Sequence, residues 1–435
     1  MKLTRGLATL ASIVLLASCS DELILEGERL DLRAPFGEAA PDAENREAPI
    51  TLPAMVNHSE WTHRRGTNTH VIAHPALGAN LSQVWNARIG AGDDRRHRIT
   101  ADPIVAGGRV FTLDSRATVA ATSTAGQPLW QADLRPSFGQ RGSASGGGLA
   151  YGTGRVYATT GYGELVALDA TSGAVIWRHR FNAPVPGAPT LAGNSVFVVA
   201  ADSSAWALDA DTGKVRWSLS GTPVGLSLAG GAGPAITDRN VILPLPSGEI
   251  VAATRNDGER SWVSRVAGSR PGQAYAQVRD ISGDPVVLGG RVFAANPSGR
   301  LAAFDAATGR LIWSAREGAF GPVWPAGGSL FLISDAGELV RIDASDGSRI
   351  WGVALPYYTR DRERRRAEIF AHYGPILAGG RLIVASNDGL IRSFDPVSGA
   401  LISEVELPRG ATTNPIVVDG TLYVVSTDGQ LHAFR

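Results

Sequence analysis

The chain has 435 residues, 44% apolar and 19% charged, with 52 Gly and 25 Pro; this is a globular, turn-rich composition that fits two or three domains or one repeat array. Its 41 basic and 41 acidic residues balance, which argues against a nucleic-acid surface, because phosphate binding draws on a basic excess. A single Cys, Cys19, excludes an intramolecular disulfide and a multi-Cys zinc site.

The chain opens with Lys2 and Arg5, followed by the apolar run LATLASIVLLAS. That run is shorter than the ~20 residues of a spanning helix and has the layout of a secretory signal. It ends in Leu16-Ala17-Ser18-Cys19. Small residues followed by Cys match the bacterial lipoprotein box, in which the thiol receives diacylglycerol before cleavage. Residues 1–18 are therefore expected to be a signal peptide, and Cys19 the lipidated first residue of the mature chain. Acyl chains hold a soluble domain at a bilayer by burying CH2 groups at about 0.8 kcal/mol each. Ser20, rather than Asp, follows the Cys, which favours sorting to the outer membrane. The expected location is its periplasmic side, with the lipid as the only membrane contact.

Residues 19–80 read as lipidated N-terminus, tether and lead-in. Pro35 to Ala54 is rich in Pro, Ala and Glu and predicts extended linker. The stretch WTHRRGTNTHVIAHPALG, Trp61 to Gly78, has no clear period and predicts irregular chain lying over the domain.

From residue 81 a repeat takes over. LVALDATSGAVIW (Leu165 to Trp177) returns as LAAFDAATGRLIW (Leu301 to Trp313) and LVRIDASDGSRIW (Leu339 to Trp351). Trp85, Trp130, Trp177, Trp217, Trp262, Trp313 and Trp351 share one position, and an eighth unit has Ser403 there. A period of about 40–50 residues with four short strands is that of a propeller blade. In the turn, Asp169 can accept backbone N–H groups and Gly173 can take positive φ. The Trp then lies on the outermost strand and fills the wedge between blades. A catalytic motif is needed once, whereas a packing motif is needed in every blade, so these Trp residues are assigned to structure. The last unit ends at Arg435 without a Trp strand, while Leu81 to Gly90 is a Trp strand with no blade before it. The prediction for 81–435 is an all-β, eight-bladed β-propeller of four-stranded antiparallel blades. The N-terminal strand completes the last blade and removes the exposed edges.

Chemistry is sparse. His70 and His74 lack the Glu of a zincin motif. Asp209, Asp211 and Gly213 suggest a calcium loop whose remaining ligands are missing. Gly142 to Gly148 contains neither a dinucleotide fingerprint nor a P-loop Lys, and no nucleophile elbow occurs. The sequence thus predicts no catalytic residue, no metal ligand and no cofactor. Two loops stand out. Arg360, Arg362, Arg364, Arg365 and Arg366 crowd an insertion at 357–375; pairing with Asp361 and Glu363 in a solvated loop is the reading preferred over an anionic-partner surface. Leu226 and Leu228 lie in the Gly-rich loop 221–234, where apolar side chains on a rigid scaffold mark a binding site.

The pattern [AV]-[LF]-D-A-x-[TS]-G-x-x-x-W resembles the quinoprotein-type propeller repeat. That repeat serves PQQ-dependent alcohol dehydrogenases and the BamB family of outer-membrane β-barrel assembly lipoproteins. Many of the dehydrogenases carry adjacent Cys residues and a calcium site; here the only Cys lies in the lipobox. The BamB resemblance spans the mature chain. It implies a non-enzymatic scaffold that binds the periplasmic POTRA region of the barrel-assembly protein, with nascent outer-membrane proteins as a further candidate partner. The family's partner loops align with Leu226 and Leu228 and with Asp280, beside Arg279. Ala229 and Ser282 stand where the family pattern has Arg and Asp, so half the polar anchors are missing. The rival readings are a PQQ-dependent dehydrogenase and a ligand- or cell-wall-binding propeller.

Overall fold

The structure is a computed structural model that describes residues 45–137, 144–224, 230–268, 270, 278–360 and 362–435. It contains eight four-stranded antiparallel sheets arranged as an eight-bladed propeller. Blades 1 to 7 are continuous in sequence: 104–133, 149–180, 190–220, 235–265, 286–315, 324–354 and 372–406. Blade 8 combines 416–434 with Gln83–Arg88. Among the described residues the only helical element is one 3-10 turn, Glu363–Arg365.

Each blade is a meander whose first strand faces the axis and whose fourth lies at the rim. Strand burial follows from that position. The second strand of blade 3, Ser195–Val199, is buried throughout, because both faces meet a neighbouring sheet, and such strands read as continuous apolar runs. The fourth strand of blade 2, Val175–Arg180, alternates between exposed and half-buried residues, as a strand with one wet face does. The apolar clusters lie between adjacent sheets, for example Tyr157, Leu165, Val196 and Leu208 between blades 2 and 3.

The repeated motif builds the seams between blades. Asp169 Oδ1 accepts the N–H groups of Thr171 (3.1 Å) and Ser172 (2.8 Å), and Gly173 N–H donates to the Asp169 carbonyl at 2.8 Å. Gly173 has φ 74°, and a Cβ there would lie 2.5 Å from the Trp130 ring of the preceding blade. The glycine is required twice, once by its backbone and once by the indole resting on it. Trp130 Nε1 then donates to the Ala170 carbonyl at 3.2 Å. The same donation runs from Trp177 to Ala210 (3.1 Å), Trp217 to Arg255 (3.0 Å), Trp262 to Ala306 (3.1 Å) and Trp313 to Ala344 (3.1 Å). A register shift places the indole: Ala167 pairs with Trp177, and Leu168 with Val175. Ile176 is the extra residue of a β-bulge that re-aims the strand.

Blade 4 keeps this arrangement although its turn lacks the Asp. Thr254 takes over, its Oγ1 accepting Glu259 N–H at 3.1 Å, and a Cβ on Gly258 would still lie 2.7 Å from Trp217. The ring closes where the sequence predicts. Gln83–Arg88 pairs with Gln430–Phe434, and Ser82 and Arg435 exchange backbone hydrogen bonds of 2.7 and 3.0 Å. Closure also explains Ser403. The third and fourth strands of blade 8, Gln430–Phe434 and Gln83–Arg88, are not joined by a hairpin, whereas each of blades 1 to 7 closes that hairpin with a glycine, so blade 7 has no glycine on which to seat an indole.

Two outcomes test this seam. Trp177→Ala is expected to destabilise the propeller by about 3–5 kcal/mol through the cavity it leaves. Gly213→Ala, at φ 68° with its Cβ 2.6 Å from the Trp177 ring, is expected to cost about 1–3 kcal/mol. Denaturant unfolding of the two single variants and the double variant should give a sum that is not additive, because the two residues share one contact.

Candidate functional site: a sealed axis and an open loop face

The meander sorts the connections onto two faces. One face carries the hairpins between first and second strands and the Asp–Gly turns. The other carries the loops between blades and the turns between second and third strands. These two faces have different fates.

Residues 45–82 occupy the axis from the first face; they do not merely lie over the domain. Their backbone and side chains meet the innermost strand or its hairpin in every blade. Trp61 exchanges hydrogen bonds with Val105 of blade 1 (2.7 and 2.9 Å), and Thr62 accepts from Tyr151 N–H of blade 2 (2.8 Å). His63 Nε2 accepts from Leu191 N–H of blade 3 at 3.1 Å. Asn68 and Thr69 carbonyls accept from Ile236 and Val287 of blades 4 and 5 (2.9 and 3.0 Å). Arg65 donates to the Pro322 carbonyl at 2.7 Å and lies over the Trp324 ring of blade 6. Pro75 and His58 carbonyls accept from Gly379 and Asp419 of blades 7 and 8 (3.0 and 2.8 Å). Innermost strands would otherwise turn an unpaired backbone edge toward the axis, and this segment supplies the partners.

The histidines that could suggest a metal are part of this clamp. His70 Nδ1 meets the Pro285 carbonyl at 2.8 Å. His74 Nδ1 meets the Pro53 carbonyl at 2.9 Å, and its Nε2 accepts from Gly380 N–H at 2.9 Å. His63 accepts at Nε2, so its proton sits on Nδ1, 2.9 Å from Thr62 Oγ1. Burial lowers His63 to about 3 and lowers His70 as well; both are neutral at physiological pH.

Arg64 extends along the axis toward the second face. Its Nε lies 3.3 Å from Asp102, and its Nη1 lies 3.2 Å from both Asp284 and the Gly231 carbonyl. Burial pulls the guanidinium down, but the two carboxylates outweigh it and hold it above its ordinary value. Burial brings Arg65 down to about 10, still a cation at neutral pH. Above Arg64 a recess of about 430 Å³ opens to the second face, lined by Asp93, Arg98, Asp102, Tyr373 and Asn414 among others. Its polar groups satisfy one another. Asn414 donates to Asp102 from N–H (2.8 Å) and Nδ2 (2.7 Å), and Thr412 Oγ1 donates to Asp93 at 2.9 Å. A quinone cofactor of a dehydrogenase would need room along this axis. Below the recess Trp61 and Arg65 fill the axis and are essentially inaccessible, so such a group does not fit at their level. Among the described residues no cluster of three or more His, Cys, Asp or Glu could hold a metal.

The second face holds the predicted partner loops. Cys19, Leu226 and Leu228 lie outside the described residues. The ends of the 221–234 loop are described, and its return is fixed from the axis. Gly231 carbonyl accepts from Arg64, and Gly233 N–H donates to Asp284 Oδ1 at 2.7 Å. Asp284 itself ends the next inter-blade loop, 266–285. One cation therefore braces the bases of both loops, a link that sequence reading misses because adjacent Arg residues in irregular chain look like surface. Within the second loop Arg279 is exposed, whereas Asp280 is buried at 3%. Asp280 is therefore not the open anchor that the sequence suggests. The charge on offer to solvent is that of Arg279.

The repeated blades and the filled axis define a quinoprotein-type propeller whose inter-blade loops gather on one face. The sequence profile of the family described as outer membrane protein assembly factor BamB matches residues 115–353 and 361–435, and the chain belongs to that family. It is a non-enzymatic assembly factor of the outer membrane, facing the periplasm. It is 25% identical to the outer membrane protein assembly factor BamB of Shewanella oneidensis over 358 residues, covering 80% of this chain and 87% of the relative. The Yersinia pestis protein of the same name is 24% identical over 362 residues, covering 81% of this chain and 88% of the relative. Among solved structures, BamB from Moraxella catarrhalis superposes with a TM-score of 0.65 at 22% identity, covering 82% of this chain and 98% of that one. A europium-containing methanol dehydrogenase shares the fold with a TM-score of 0.66 at 15% identity, covering 86% of this chain and 98% of that one.

Replacing Arg64 with Met leaves Asp102 and Asp284 buried without their cation. The expected loss is about 3–5 kcal/mol, read as a lower melting temperature and earlier proteolysis within 45–82. The histidines set an acid limit. His63 has a folded value far below its unfolded one of about 6.5. Its contribution is full above pH 6.5 and is lost as pH falls from there toward about 3. Melting temperatures across that range should fall, and His63→Gln should flatten the slope.

Proposed function

We propose that the chain is the scaffold subunit that binds the POTRA region of the barrel-assembly protein through its inter-blade loop face. In this reading Cys19 carries the lipid, the chain stands on the periplasmic side, and Leu226, Leu228 and Arg279 form the contact. Asp280, buried beside Arg279, is not itself open to a partner. The observation that carries the proposal is the joint bracing of loops 221–234 and 266–285 by Arg64 and Asp284. Two loops fixed at a common base form one surface, part of whose ordering cost is met before a partner arrives. The missing family Arg and Asp give the contact more apolar and less ionic character. Nascent outer-membrane proteins are a further proposed partner of the same face.

Capture of a purified POTRA fragment of the host's barrel-assembly protein tests this. Leu226→Glu and Arg279→Glu are each expected to weaken capture at least tenfold, about 1.4 kcal/mol, with melting temperature unchanged. Capture that is equal for both variants and the parent chain would refute the assignment of these loops.

A further inference from the structure

The inter-blade loop between blades 6 and 7 is a structured element. Tyr358 and Ile369 form an antiparallel bridge. Thr359 N–H donates to the Glu368 carbonyl at 3.1 Å, and Phe370 N–H to the Tyr357 carbonyl at 2.8 Å. These bonds make a short hairpin, whose tip holds Arg360, Arg362, Arg364, Arg365 and Arg366, all exposed. The Arg366 guanidinium lies 4.9 Å over the Tyr358 ring. Residues 354–360, where this hairpin begins, fall between the two segments matched by the family profile.

Beside the hairpin lies a recess of about 370 Å³, lined by Phe320, Ile333, Tyr357, Ile369 and Phe370 among others. Large apolar side chains are exposed at its rim: Phe320 at 45%, Tyr358 at 39% and Ile369 at 50%. Exposed apolar residues gathered round a concavity mark binding surfaces. Arg and aromatic residues are the side chains that carry most energy in protein interfaces. A bilayer would meet the Arg tip as a flat sheet of charge and leave the concave recess empty. A polypeptide can fill both.

We propose that the hairpin and the recess form a second docking site, for an acidic polypeptide segment that presents one large apolar or aromatic side chain. The Arg tip attracts and orients the acidic stretch, and the recess takes the apolar anchor. The site uses loops of blades 5 to 7 and adjoins the POTRA contact proposed on the loops of blades 3 to 5, since Arg270 of loop 266–285 pairs with Asp335 in the recess wall at 2.8 Å.

The test is fluorescence anisotropy with the full mature chain and a labelled peptide in which one Phe is flanked on both sides by Asp and Glu. The expected result is saturable micromolar binding that weakens steeply with salt. R364E/R365E and, separately, Ile369→Asp should each weaken it at least about tenfold. A peptide with Ala in place of Phe should bind at least as much more weakly. All the altered side chains are exposed, so melting temperature should not move. No saturable binding, equal binding by both variants, or equal binding of the Ala peptide would overturn the proposal. So would binding of phosphatidylglycerol vesicles that depends on Arg364 and Arg365 in the absence of peptide binding, which would assign the patch to lipid.

Discussion

An indole laid across a glycine is the contact on which this ring depends. Blade sheets have no hydrogen bonds of their own to spend on a neighbour, since all of them run within a blade or toward the axis. The seam must therefore come from side-chain packing, and packing is sensitive to small gaps. Seven seams meet that demand in one way: a bulged outer strand delivers a Trp, and the next blade's turn offers a glycine with nothing above it. In six of them the indole N–H is also satisfied by a carbonyl of that turn. At the seventh the Pro396 carbonyl is taken up by Arg341 at 3.3 Å. At the eighth seam blade 8 has no hairpin between its third and fourth strands, and blade 7 accordingly has no Trp.

That regularity explains what the sequence discloses and what it hides. A constraint that recurs in every blade writes itself into the sequence many times, and noise at one unit, such as Thr254 for Asp, does not erase it. The number of blades, their strand order and the shared closing blade all follow from that redundancy. The axis is different. Its contacts are made once each, by Trp61, His63, Arg64, Arg65 and His70, in a stretch with no period. Two adjacent arginines in irregular chain ordinarily point to solvent. Nothing local tells the reader that eight strand edges converge on them, because that convergence exists only once the ring has closed. Asp280 misleads for a related reason. Its place in a loop between blades suggests exposure, yet Asp280 is buried while its neighbour Arg279 reaches solvent.

The sealed axis also separates this chain from the dehydrogenases whose fold it shares. A propeller concentrates inner-strand edges around a narrow channel, and that channel must be lined, watered or filled. Filling it with the chain's own residues satisfies the edges and leaves no space for a flat cofactor at the level of Trp61 and Arg65. The cost is that two carboxylates and two guanidinium groups are buried together. Such a set is tolerable only when every partner is present, which is why Arg64 touches Asp102, Asp284 and the Gly231 carbonyl at once.

The same charged cluster links the lead-in to the inter-blade loop face. A buried ion pair adds little net stability compared with apolar packing, but it fixes geometry, because each charge has few alternative partners. Here the fixed geometry is that of two loop bases. Gly231 and Gly233 end one loop, Asp284 ends the next, and Arg64 reaches them from the axial segment 45–82. Long loops on a propeller would otherwise lose considerable freedom on binding, at roughly 1–2 kcal/mol for each residue ordered. Anchoring their bases in advance removes part of that loss. The axial segment thus closes the channel and sets the posture of the loops above it, and a change at Arg64 should be felt on the binding face although no partner touches it.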